Sequence, residues 1–214
     1  MLTIAEVHKS FGRQRVLDGV TIDLARGETC LLRGGNGAGK STLCEVVAGV
    51  LDADAGTVTV DGRSIREGSA RAAIGYAPAH ASLPEHLFVH EWLDLLAALR
   101  GATAPEVDAA TARWGLSTCT DSRLAALSLG QRRRLALAAA ELAKPTWLLL
   151  DEPTVGLDAE GRALLVQWVR AHVENGGGAL VASHEESLAH ELDARIVSLE
   201  RGRTRWEIPS NSAR

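Results

Sequence analysis

The sequence predicts an α/β fold, with a parallel-sheet core, an antiparallel β region and a helical region. Three observations carry this. The loop Gly34-Gly35-Asn36-Gly37-Ala38-Gly39-Lys40-Ser41 lies between a buried-strand pattern and a helix pattern. The apolar run Thr146-Trp147-Leu148-Leu149-Leu150 ends in Asp151-Glu152, as a parallel strand covered on both faces would. Between them, residues 85–143 change to helical periodicity.

The elements follow in order. Leu2, Ile4, Val20, Ile22 and Leu24 alternate with period two, so residues 1–27 read as two or three strands, and the start is a strand rather than a signal peptide. Thr29-Cys30-Leu31-Leu32-Arg33 reads as a short buried strand. Residues 41–48 read as a helix with Leu43, Val46 and Val47 on one face, stopping near Gly49. Residues 57–60, followed by Asp61-Gly62, are a strand entering a tight turn, so an antiparallel sheet flanks the core. Val89, Trp92, Leu93, Leu96 and Leu99 follow amphipathic-helix spacing. Pro105 opens a second helix and Gly115 closes it; a third runs from about 129 to 143, before Lys144-Pro145. Asp158 caps a helix that turns Leu164, Leu165, Trp168 and Val169 inward, Gly176-Gly177-Gly178 breaks it, and residues 179–182 form another buried strand. Residues 210–214 read as a frayed tail.

Composition narrows the classes. The 214 residues suffice for one domain with a sizeable core. A net charge of −4 offers no global attraction to nucleic acid, and no apolar run approaches the ~20 residues that span a bilayer. Cys30, Cys44 and Cys119 show no ligand spacing and read as small core residues in a reducing cytosol. Any role at a membrane is therefore expected to run through a partner.

The glycines of residues 34–41 let successive N–H groups face a phosphate, and the following helix adds its positive dipole end. Lys40 supplies a cation to the outer phosphates, and Ser41 a hydroxyl to magnesium. Asp151 and Glu152 sit where ligands meet parallel sheets; Asp151 is suited to hold magnesium through water, and Glu152 to polarise the water that attacks a terminal phosphate.

Leu127-Ser128-Leu129-Gly130-Gln131 resembles the Leu-Ser-Gly-Gly-Gln signature of ATP-binding-cassette (ABC) transporter ATPases, and the other motifs stand in that family's order along nearly the whole chain. The resemblance implies a RecA-like core with an antiparallel β subdomain and a helical subdomain, all in one domain over 1–214: core and β subdomain in 1–78 and 146–208, helical subdomain and signature in 79–145, tail in 209–214. It implies that ATP is held by Phe11, stacked on adenine, by Gly34, Asn36, Gly37, Ala38, Gly39, Lys40, Ser41 and Thr42, and by Ser128, Gly130, Gln131 and Asp158, with the signature serving the opposing subunit's ATP. Val155-Gly156-Leu157-Asp158 resembles the loop that links the two sites, and His184 the histidine that contacts the terminal phosphate. Ser41 and Asp151 are the magnesium residues, and Glu152 and His184 the catalytic ones.

Three positions depart from the pattern. Ala79 ends the segment Ile74-Gly75-Tyr76-Ala77-Pro78-Ala79, where the family carries Gln or Glu that touches magnesium and signals to the membrane subunit; His80 is adjacent. Leu129 replaces the first signature glycine, and Ala139 stands where many relatives carry Arg. His86 and His90, four apart on an expected helix, read as a solvated or partner-binding face rather than a metal pair. Arg132-Arg133-Arg134 continues the signature and is not read as a nucleic-acid patch.

The reading is an ATPase subunit, cytoplasmic and peripheral to the inner face of the membrane, that closes against a second such subunit and drives a separate transmembrane permease, in the manner of a short exporter cassette. No nucleic-acid partner is expected. Two rivals stand beside it: a non-transport cassette protein using ATP as a dimerisation switch, and a weakly hydrolysing regulatory subunit.

Overall fold

The computed structural model describes residues 1–80 and 82–207. The tail assigned to 209–214 lies outside them.

A four-stranded antiparallel sheet comes first, built from β1 (Leu2–Phe11), β2 (Gln14–Leu24), β4 (Ala55–Val60) and β5 (Arg63–Ser64) in the order β2-β1-β4-β5. The turn between β4 and β5 takes positive φ at Asp61 and Gly62, as Asp-Gly hairpin chemistry requires. In the second sheet β3 (Thr29–Arg33), β6 (Ile74–Ala77), β7 (Trp147–Asp151), β8 (Gly178–Ser183) and β9 (Arg195–Glu200) pair in parallel, and β10 (Arg203–Trp206) adds an antiparallel edge. The order is β10-β9-β3-β8-β7-β6.

Both faces of this parallel sheet are covered, which explains the unbroken apolar runs of β7 and β8. Cys30, Leu32, Leu149, Leu180 and Ala182 point to the antiparallel sheet and α1 (Lys40–Val47). Leu31, Leu148, Leu150, Ala179 and Val181 point the other way. There they meet the helical residues of α3 (Val89–Arg100), α4 (Ala104–Arg113), α5 (Leu129–Glu141) and α6 (Ala159–Glu174). The short helices α2 (Gly68–Ala72) and α7 (Glu186–Glu191) complete the chain. Cys30, Cys44 and Cys119 are buried free thiols, as their lack of ligand spacing suggested.

Several expectations shift. Leu99 is 74% exposed, because the buried line of α3 runs Val89, Leu93, Ala97. Leu99 sits roughly 120° round the helix from Leu93. His86 precedes α3 in a turn rather than sharing a helix with His90, and among the described residues no group of three or more His, Cys, Asp or Glu is arranged to hold a metal ion. The third helix ends at Glu141, because Ala143 and Lys144 turn the chain with positive φ. The β9–β10 hairpin was not foreseen, although Val197 and Leu199 alternate and Arg201-Gly202 makes its positive-φ turn.

Candidate functional site

The parallel register brings four strand ends level. Arg33 lies opposite Ser183, Asp151 opposite Ala182, and Ala77 opposite Leu150. The residues that follow, Gly34, His184, Glu152 and Pro78, therefore emerge along one edge of the sheet.

Gly39 closes the phosphate loop with φ of 104° and is the N-cap of α1. Only glycine is at ease there. A Cβ at that position would also press on Leu17 and Val16 of β2, which passes over the loop. Lys40 opens α1 and is 6% exposed, with its ammonium donating to the carbonyls of Gly34 at 2.9 Å and Gly35 at 3.4 Å. The same Nζ lies 3.2 Å from Glu152 Oε1. Gly35, Asn36, Gly37 and Ser41 are exposed, Gly34, Ala38 and Thr42 partly so. Phe11 lies at the tip of the β1–β2 hairpin opposite Gln14, and is 51% exposed. An exposed aromatic face is suited to stack a base.

Glu152 adopts φ of 45°, a conformation that costs a non-glycine residue energy and that gathers at functional sites. Its N–H donates to Ala182 at 2.8 Å, which anchors the turn, and its Oε2 faces His184 Nδ1 at 3.0 Å. Asp151 is 1% exposed, and burial pushes its carboxyl above the ordinary range; the Ser41 hydroxyl and the Ala79 N–H, directed at it, pull the other way. Its Oδ1 is buried with no hydrogen-bond partner among the described residues. An orphaned carboxylate oxygen beside a serine hydroxyl is a hard-oxygen donor set, which fits magnesium.

The signature residues stand elsewhere. Ser128 caps α5: its Oγ accepts from Gln131 N–H at 3.2 Å, and Gln131 Oε1 accepts from Ser128 N–H at 2.9 Å. Gly130 touches the carbonyl of Gly156, where a Cβ would come within 2.7 Å. Asp158 caps α6 through Gly161 N–H at 2.8 Å and pairs with Arg134 at 2.8 Å, and both donors hold its carboxyl below the ordinary range. Among the described residues no hydrogen bond joins 127–131 to the phosphate loop. Leu129 is 64% exposed and lies over Gly156.

Two arrangements escaped the sequence. The Arg132-Arg133-Arg134 run turns inward rather than into solvent: Arg132 donates to the carbonyls of Leu127 and Ala125, Arg134 holds Asp158, and Arg133 is buried. Burial lowers the Arg133 pKa, while Asp151 and Glu152 raise it. Glu185, next to His184, accepts from Thr154 Oγ1 at 2.5 Å and pairs with Arg162, which also holds Glu191 at 2.9 Å. No periodicity or spacing signals either.

The comparisons agree with this geometry. Residues 17–155 match the family described as ABC transporter. The chain is 38% identical to the cytochrome c biogenesis ATP-binding export protein CcmA of Xanthomonas campestris pv. campestris (strain 8004), over 81% of this chain and 82% of that protein. It is 35% identical to the Nod factor export ATP-binding protein I of Paraburkholderia xenovorans (strain LB400), over 92% of this chain and 67% of the relative. A solved ATP-binding subunit of an ABC transporter superposes with a TM-score of 0.90 at 27% identity, covering 99% of this chain and 91% of its own. The chain thus belongs to the ABC transporter family, as an ATP-binding, ATP-hydrolysing member.

Proposed function

We propose that this chain hydrolyses ATP to drive export through a separate membrane permease, lying against the cytoplasmic side of the membrane as one of two face-to-face ATPase subunits. The observation that carries the reading is the position of Glu152, held between Lys40 and His184 at the strand ends. Lys40, the loop N–H groups and the start of α1 bind the phosphates. Phe11 stacks the base. Ser41 and Asp151 would hold magnesium, which would supply positive charge to the phosphates. Glu152 orients a water towards the terminal phosphate and accepts its proton, and His184 fixes the Glu152 carboxylate and contacts that phosphate.

The division of the site supports a second subunit. The Ser128 hydroxyl bonds within its own helix start, and Gly130 lies against the Gly156 carbonyl rather than beside the phosphate loop. They suit an ATP presented by an opposing chain. Export is favoured by the relatives, both of which are named as export components. Among the described residues no helix is long and apolar enough to cross a membrane, and the relatives named as ATP-binding export proteins support a permease on a separate chain.

The test is copurification from membranes followed by reconstitution in lipid. The expected result is an associated polytopic protein whose presence raises the ATPase rate, with both rates lost in Glu152→Gln. An ATPase rate untouched by that substitution would remove the reading.

A further inference from the structure

Arg133 is the buried cation of α5, 5% exposed, and its guanidinium meets main-chain carbonyls from three separate segments. Nη1 donates to Pro78 at 2.8 Å and to Asp151 at 3.3 Å, Nη2 to Ala79 at 2.6 Å, and Nε to Val155 at 3.3 Å. No carboxylate pairs with it among the described residues. A buried cation left without acceptors is costly, so these four carbonyls are what make the position tolerable. Pro78 and Ala79 follow β6, Asp151 ends β7, and Val155 lies within the loop that joins β7 to α6.

We infer that Arg133 is a positioning residue for ATP hydrolysis, tying the signature helix to the strand ends that carry Asp151 and Glu152 through main-chain carbonyls. The inference rests on the reading of Glu152 as the base. Ala79 has no side chain with which to reach a metal or a neighbouring loop. Its peptide group does the joining: the carbonyl holds Arg133, and the N–H is directed at the Asp151 carboxylate. The start of α5 carries Ser128 and Gly130, so a shift of α5 reaches the magnesium residue and the loop at Val155 through one guanidinium. Only a planar fork with several donors spans these segments; a lysine offers one nitrogen and reaches a subset.

The experiment uses the full chain. ATP affinity and site number by calorimetry, together with kcat and KM for ATP, are measured for wild type, Arg133→Lys, Arg133→Gln and Glu152→Gln. The expected result is an ATP affinity and KM near wild type in both Arg133 variants, with kcat per binding site lower by about 10–100-fold, the scale of a small misplacement of reacting groups. The lysine variant should recover part of the loss seen with glutamine. A wild-type kcat in both Arg133 variants, with Glu152→Gln inactive, would overturn the inference alone. Loss of nucleotide binding in both Arg133 variants would make the residue a folding determinant and overturn it equally. A wild-type kcat in Glu152→Gln would remove the reading beneath it.

Discussion

Glu152 Oε2 and His184 Nδ1 lie 3.0 Å apart, at the ends of adjacent parallel strands. The other carboxylate oxygen is 3.2 Å from Lys40 Nζ. One acid thus links the phosphate loop to the histidine. In the proposed mechanism an ATP terminal phosphate would compete with that acid for both partners, and hydrolysis would depend on how Glu152 is re-aimed from its positive-φ start.

Lys40→Ala should weaken ATP binding. The ammonium is nearly enclosed, and its charge-assisted bonds are worth about 1.5–3 kcal/mol, or roughly 10–100-fold in affinity. Calorimetric titration with magnesium-ATP reads the change. An unchanged affinity would remove Lys40 from the phosphate site.

Glu152→Gln should bind ATP normally and hydrolyse it about 10²–10⁴-fold more slowly, because the amide keeps the shape but cannot accept the proton. Stalled turnover should leave two chains closed on ATP. Light scattering in magnesium-ATP should report a dimer, whereas an ATP-loaded monomer would exclude the face-to-face arrangement.

Ala79→Gln should raise magnesium-dependent hydrolysis or its stimulation by the permease, since an amide oxygen can join a hard-cation site and a methyl group cannot. His80 is exposed beside the half-buried Ala79, so His80→Ala should uncouple transport and leave basal hydrolysis in place. ATPase rates with and without permease in lipid distinguish these outcomes. Three matching profiles would show that the loop after β6 does not couple the subunits.

Glu185→Gln should destabilise the chain by about 1–2 kcal/mol at neutral pH, since the bond from Thr154 and the pair with Arg162 both favour the ionised acid and are only partly screened. Those partners hold the Glu185 carboxyl below its ordinary 4.5. A lowered carboxyl contributes stability that is complete above the unfolded value and lost as pH falls through the folded one. The gap in urea midpoint between wild type and variant should therefore be wide at pH 7 and narrow as pH falls from the ordinary carboxyl value through the lowered folded one. A gap independent of pH would mean that the carboxylate charge is not what Arg162 and Thr154 recognise.

The sequence by itself determined the local elements and the chemistry that is contiguous along the chain. Glycines at 34–39 with Lys40 and Ser41, the run 146–150 ending in Asp151-Glu152, the Ser128 and Asp158 helix starts and the Asp61-Gly62 turn are all patterns written over neighbouring residues, and the strands and helices formed around them. Helix faces were legible only within the width of an apolar stripe, which is why Leu99 was misplaced while Leu93 was not. The tertiary structure decided what lies beside what across the sheet. The level ends of β3, β7 and β8 set Glu152 between Lys40 and His184, and packing of α5 against β6 turned Arg133 away from solvent into four carbonyls. An arginine in a run of arginines that continues a signature carries no sign of burial, because a linear pattern records side-chain type and period. It does not record the carbonyls that distant segments present, and those alone decide whether a buried cation is satisfied.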